Sequence, residues 1–283
     1  MASAAALGFR SELIFHRAEG EVIDCRAEHG CRVIRTPVNP TFFWGNYLLF
    51  DRAPEAEDAQ RWPLLFERMI TAHQPESRHR AFGWIEDEPG DIAGFLAEGY
   101  TVNNAVVMQS KRISDVPAPT LASRLQAFEQ TGEAAERAWS ELVELHIATR
   151  APQFGEQGYR PYAQRSVARW RSLAAAGRGN WFGAFVDDAG GGLQLAAALG
   201  IYVEAEPEEG ERLARYQAVM TASPFRRRGL CRALIALAAR YARDQLGADR
   251  LIIVAAAGEM PEQLYASVGF DAAGLQRGVQ RMP

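Results

Sequence analysis

The period of apolar positions changes repeatedly along the chain, and each change marks an element. Residues 7–17 carry a modest helical face through Leu7, Ile14 and Phe15, and residues 21–28 and 31–37 then read as strands joined through Glu28, His29 and Gly30. Glycine suits that turn because its φ is free to be positive. Residues 40–51 give a third strand of aromatic and branched side chains. Helical spacing returns over residues 58–73 through Trp62, Leu65, Phe66 and Ile70, with Pro63 expected in the tolerant first turn. Residues 79–87, 91–100 and 102–110 predict strand, helix and strand.

Residues 110–124, SKRISDVPAPTLASR, contain Pro117 and Pro119 and read as an exposed linker. Beyond it, residues 125–130 suggest a strand, and residues 133–149 a helix whose faces are marked by Ala138, Leu142, Leu145 and His146. An aromatic and polar loop over 151–162 is expected to lead into a second helix over 162–176. Residues 180–188 and 193–205 predict two antiparallel strands joined at 188–192, and EPEEGE at 206–211 turns into the next strand.

The stretch from Tyr216 to Leu246 organises the rest. An apolar strand around Val219 is broken by Ala222, Ser223 and Pro224, and beyond Gly229 a helical face runs through Leu230, Leu234, Leu237, Ala238 and Tyr241. Gly247 is the expected stop. Such a loop brings unpaired N–H groups and the positive end of a helix dipole to one point, which suits a di- or triphosphate. Gly229 lets backbone approach a ligand closely. Arg226, Arg227 and Arg228 add positive charge where the dipole is already positive, a conflict relieved by a bound anion.

R-R-R-G-L-C at 226–231 resembles the acyl-CoA signature R/Q-x-x-G-x-G/A of the GNAT superfamily of N-acyltransferases, with Arg226 and Gly229 matching and Cys231 in place of the usual small residue. A second stretch, LIIVAAAGEMPEQLYASVGF at 251–270, resembles the family's strand, helix and L-Y-x-x-x-G-F ending through Leu264, Tyr265, Gly269 and Phe270. Gly258 stands where an Asn is customary. The resemblance covers roughly residues 120–283 and implies coenzyme contacts from Val219, Met220, Thr221, Arg226, Arg227, Arg228, Gly229, Leu230, Cys231 and Arg232, with acetyl-CoA as co-substrate.

FLAEGY at 95–100 resembles YASVGF at 265–270, so the order of elements repeats. The expected architecture is α/β, with two tandem GNAT-like domains over 1–115 and 116–283, each a mixed, mostly antiparallel twisted sheet flanked by helices. The first copy is expected to be degenerate, because residues 51–58, DRAPEAED, put Glu55, Glu57 and Asp58 where a pyrophosphate requires positive charge. A structural or substrate-shaping role is the expectation for it.

Composition narrows the function classes. Apolar residues make up 48% and charged residues 23% of 283, as in a packed protein, and the net charge of −4 disfavours nucleic acid as a general partner. MASAAALGF is too short for a secretory core and no run approaches a membrane span, so a cytoplasmic protein without a membrane partner is expected. Cys25, His29 and Cys31 lack the spacing of a zinc site, and no metal is expected. Cys231 opens a helix, which lowers a thiol pKa, yet no His stands near it in sequence to make it a nucleophile.

The resemblance implies direct transfer of an acetyl group from acetyl-CoA to a primary amine of a small molecule or peptide; oligomerisation is possible. An alkylammonium, with a reference pKa of about 10.4, must lose a proton before it attacks. The tetrahedral oxyanion needs preset donors, which the family takes from N–H groups here carried by Val219 to Thr221. Tyr265 is the candidate acid for the departing thiolate. Glu204 and Gln217 are candidate water-orienting bases, Glu259 a weaker one, and Phe154, Tyr159, Arg160 and Tyr162 are candidate acceptor contacts against a reading as core cover and solvated charge. The alternative is a non-catalytic acyl-CoA-binding or scaffold protein. The absence of G-x-x-x-x-G-K-[ST] argues against an NTPase.

Overall fold

The computed structural model of the chain describes residues 3–151, 154–188, 190–206, 210–257 and 261–283. Its first half opens with α1 (Ala4–Glu19) and a hairpin of β1 (Glu21–Cys25) and β2 (Cys31–Arg35), closed by the single helical turn α2 (Arg26–His29). Gly30, at φ 66°, takes the left-handed conformation expected of it. Then come β3 (Tyr47–Phe50), α3 (Asp58–Phe66), β4 (Arg80–Trp84), α4 (Ala93–Ala97), β5 (Thr101–Val102) and β6 (Ala105–Ser110).

The second half begins with β7 (Arg124–Ala127), α5 (Glu133–Ala148) and α6 (Glu156–Ala175). It continues through β8 (Gly179–Asp187), β9 (Leu193–Val203), β10 (Leu213–Thr221), α7 (Leu230–Asp244), β11 (Arg250–Ala256), α8 (Pro261–Ala266) and β12 (Asp271–Arg281). The elements form two compact units: Met1–Met108 with Val254–Glu262 and Ala272–Pro283, and Gln109–Ile253 with Gln263–Asp271.

In the first unit the sheet runs β1-β2-β3-β4-β12, with β5 also beside β12. Its pairings are antiparallel except β3 with β4. In the second unit it runs β7-β8-β9-β10-β11, antiparallel except β10 with β11. Both are mixed, mostly antiparallel sheets flanked by helices, as expected. The one parallel step lies across a helix each time, β3–α3–β4 and β10–α7–β11. Their endings also repeat: the Tyr100 amide donates to the Phe95 carbonyl at 3.0 Å and the Phe270 amide to the Tyr265 carbonyl at 3.1 Å. Gly99 and Gly269 hold φ of 81° and 101° inside those turns.

Aromatic packing fixes the first unit. Phe50 stacks on Trp62 with centroids 3.7 Å apart, and Phe82, Phe95 and Tyr100 close the cluster. β12 joins through a glycine pair, Gly278 opposite Gly83, which lets the rings of Trp44 and Phe9 lie against bare backbone. In the second unit α5 and α6 cover β8 and β9, with Trp170 and Trp181 in contact at 4.7 Å.

Several expectations need correction. α6 starts at Glu156, six residues ahead of the expected Tyr162, and carries Pro161 in its second turn. Tyr159, Arg160 and Tyr162 are therefore helical. Pro63 likewise falls in the second turn of α3. The third strand spans only Tyr47–Phe50, after a 3₁₀ turn at Phe43–Gly45. β12 went unpredicted.

Candidate active site

The site grows from β10. Its antiparallel pairing with β9 holds from Ala214↔Val203 to Gln217↔Gly200 and resumes only at Met220↔Ala198. Ala218 and Val219 thus face Leu199 alone, a β-bulge in which Ala218 takes φ of 42°. On its other edge, β10 pairs with β11 only from Leu213↔Arg250 to Arg215↔Ile252. Residues 216–221 therefore lie beyond the end of this ladder on that edge.

Downstream, a 3₁₀ turn at Ser223–Phe225 leads into Arg226, whose Nε donates to the Thr221 carbonyl at 3.2 Å. Arg227 at φ 61° and Gly229 at φ 83° put two left-handed residues in the last three before α7. A left-handed arginine costs about 1–2 kcal/mol, strain of the kind found at functional loops. Gly229 caps α7 without any side-chain hydrogen bond to the helix's first amides. Arg226, Arg227, Arg228 and Arg232 are exposed, and none is in an ion pair among the described residues.

The second motif is brought to this loop. Phe270 contacts Tyr216 of β10 edge-on at 5.8 Å and Tyr265 of α8 at 6.4 Å. Burial raises the Tyr265 hydroxyl well above its ordinary pKa, the nearby Cys231 thiol adds to the rise, and the Arg215 guanidinium opposes it. Cys231, itself pushed up to about 12 by burial, stays a thiol at neutral pH rather than the activated thiolate a helix N-terminus favours. Tyr265 is held as a neutral phenol at neutral pH, unsuited to taking a proton.

Glu204 lies apart from the bulge. It is buried beyond the end of β9, and its Oε2 accepts from the Leu213 amide at 3.1 Å, at the opposite end of the β9–β10 pair from the bulge. Gln217 is half-buried at the start of the bulge, across from Gly200. Gly258 and Glu259 lie outside the described residues. No cluster of three or more His, Cys, Asp or Glu suited to a metal occurs among the described residues.

The pattern of the acetyltransferase (GNAT) family matches residues 139–270. Residues 139–270 are a GNAT domain. Among solved structures the whole chain is similar to a GCN5-related N-acetyltransferase from Kribbella flavida, at 14% identity, over 98% of this chain and 95% of that one, with a TM-score of 0.59. A tandem GNAT protein from the clavulanic acid biosynthesis pathway matches 83% of this chain and 77% of its own, at 13% identity and a TM-score of 0.51. A conserved protein of unknown function from Staphylococcus epidermidis covers 93% and 94%, at 14% identity and a TM-score of 0.66. No curated protein matches the chain. At these identities the structures show the fold, and the GNAT family supplies the general chemistry, acyl transfer from acyl-CoA.

Within the GNAT domain, the candidate acceptor contacts gather between α5 and α6. The rings of Phe154, Tyr159, Tyr162 and His146 lie 5.0–5.9 Å apart. Tyr159 OH meets His146 Nδ1 at 3.2 Å, and His146 stacks on Trp170. Burial lowers the His146 pKa to about 4, which leaves the imidazole neutral. Arg160 is engaged by Glu144 and Glu156, at 2.6 and 3.0 Å, the solvated-charge reading of that residue. No helix is long and apolar enough to cross a membrane among the described residues.

Two features were missed in the sequence. The bulge is a property of register with no local signature, although the uninterrupted run QAVMT was its place. His146 appeared only as a helix-face marker, and its pairing with Tyr159 needed the earlier start of α6.

Proposed function

We propose that the chain is an acetyl-CoA-dependent N-acetyltransferase acting on a primary amine of a small molecule or peptide. The observation that carries this is the succession, within one β–α unit, of a bulge beyond the end of the β11 ladder, a left-handed arginine-rich loop and a helix N-terminus without a side-chain cap, with buried Tyr265 nearby. Amides of Leu230, Cys231 and Arg232, with Arg226, Arg227 and Arg228, would hold the diphosphate of acetyl-CoA.

The amine nitrogen attacks the thioester carbon while amides near Val219, Met220 and Thr221 receive the developing oxyanion. Collapse breaks the C–S bond, and the Tyr265 hydroxyl gives its proton to the departing thiolate. The proton lost by the attacking nitrogen passes to solvent, from which the phenolate is reprotonated. Among the described residues the first unit carries no such loop; there Arg52 and Asp58 pair at the opening of α3, which supports a shaping role.

The test is thiol release from acetyl-CoA over a panel of amines, with calorimetry of CoA binding beside it. Binding without turnover on any amine would favour the non-catalytic acyl-CoA-binding alternative, for which the departure at Cys231 speaks. No binding would remove both.

A further inference from the structure

The segment that reads as a solvated linker does not float free of the loop. The Thr120 amide donates to the Arg228 carbonyl at 3.0 Å, and Thr120 Oγ1 lies 3.4 Å from the same oxygen. A Cβ added at Gly229 would meet Cα of Pro119 at 3.3 Å. A few residues earlier the Ser114 amide donates to the Val268 carbonyl at 3.1 Å, and a Cβ at Gly269 would come within 3.0–3.2 Å of Ser114 and the Arg112 carbonyl. Residues 112–120 thus form a strap tied at one end to the glycine of the second motif and at the other to that of the first.

We infer that Thr120 is a positioning residue of the coenzyme site, fixing the direction of the amides that receive the diphosphate; this rests on the acyl-CoA reading above. In a trans peptide the C=O of residue 228 and the N–H of residue 229 point opposite ways. Holding the Arg228 carbonyl toward Thr120 therefore turns the Gly229 N–H, the amide just ahead of the first free amides of α7, away from the strap. Left-handed Gly229 lies on one side of that peptide and left-handed Arg227 stands one residue before its other side, so without an external tie it would have other orientations open to it. Thr120 supplies the tie, and Pro117 and Pro119 stiffen the strap that delivers it.

The test compares CoA with pantetheine, which keeps the thiol arm and lacks the diphosphate. Calorimetry on the full chain would use Thr120→Pro, which removes both the N–H and the hydroxyl, Thr120→Val, which removes the hydroxyl alone, and Thr120→Ser, which restores both. The expectation is a CoA Kd about tenfold higher for Thr120→Pro, about two- to threefold higher for Thr120→Val, and unchanged for Thr120→Ser, with pantetheine binding unmoved throughout. Equal weakening of CoA and pantetheine, or a folded Thr120→Pro that binds CoA like the wild type, overturns the inference. Should Thr120→Pro fail to fold, Thr120→Val decides alone: unchanged CoA affinity overturns it. A wild-type chain that binds no CoA would instead remove the reading of the site itself.

Discussion

Arg52 grips Asp58 with both arms of its guanidinium, Nη1 to Oδ2 at 2.6 Å and Nη2 to Oδ1 at 3.1 Å, at the first residue of α3. Oδ2 also accepts the Glu55 amide at 2.9 Å, and Asp58 is 1% exposed. In the repeated β–α–β unit, then, the helix opening holds a carboxylate of the chain itself in one copy, while in the other Gly229 leaves it uncapped.

Asp58→Asn tests how much that internal anion supports the first unit. The amide keeps the size but loses the charge, leaving Arg52 with weaker partners. Because Arg52 is partly exposed, the loss should fall near 1–2 kcal/mol, below the range for a fully buried pair. Urea unfolding measures it; a change under about 0.5 kcal/mol would show that solvent replaces the pair without cost.

Stability should fall on mild acidification for a reason visible in both units. His79, stacked on Phe43 and bonded to the Asn46 carbonyl, has its pKa lowered by burial, and burial lowers that of His146 to about 4. In each case the unfolded chain binds the proton more readily. The stability they contribute is complete above the unfolded value of about 6.5 and drains away as pH falls toward the folded one. For His146 the full loss is on the order of 3 kcal/mol, complete near pH 4. Thermal melts from pH 7.5 to 4.5 should show this decline, and His146→Phe should flatten part of it; an identical slope in the variant would exclude His146 as a source.

How far the sequence could be read follows from what each feature depends on. The arginine–glycine loop and α7 were legible because glycine, arginine and a 3.6-residue period are local signals, and the Phe95–Tyr100 repeat was legible because the same turn demands the same residues. β12 was not, since Asp271–Arg281 has two glycines and no apolar alternation; it is a strand because Gly278 fits under Trp44 and Val279 fills the first unit's core. α6 was shortened because residues 151–162 read as an aromatic and polar loop, although a helix tolerates Pro161 and the loss of one early bond. Glu204 drew notice as an acid near a strand end, whereas its bond to the Leu213 amide depends on the register of β9 with β10. The role of Thr120 was hidden by a composition that reads as solvent-facing.

Gly229→Asp should abolish CoA binding while leaving a folded chain. Any Cβ there is strained at φ 83° and presses on Pro119, and a carboxylate adds negative charge where a diphosphate is to sit. Gly229→Ala separates the two effects: it shares the strain without the charge and should weaken CoA less. Calorimetry giving equal affinity for Gly229→Asp and wild type would contradict the placement of the diphosphate.

Tyr265→Phe isolates the proton from the packing. The ring contact with Phe270 at 6.4 Å does not involve the hydroxyl, so the variant should fold and bind CoA as the wild type does. Turnover should drop by about 10²-fold or more if the hydroxyl protonates the thiolate, the usual scale for a positioned general acid. Because burial and Cys231 hold the phenol protonated across the neutral range, the wild-type rate should show no loss from its ionisation between pH 6 and 9, and a rise over that interval would track deprotonation of the amine instead. A variant with normal kcat would reduce Tyr265 to a packing residue and leave the thiolate to be protonated by solvent.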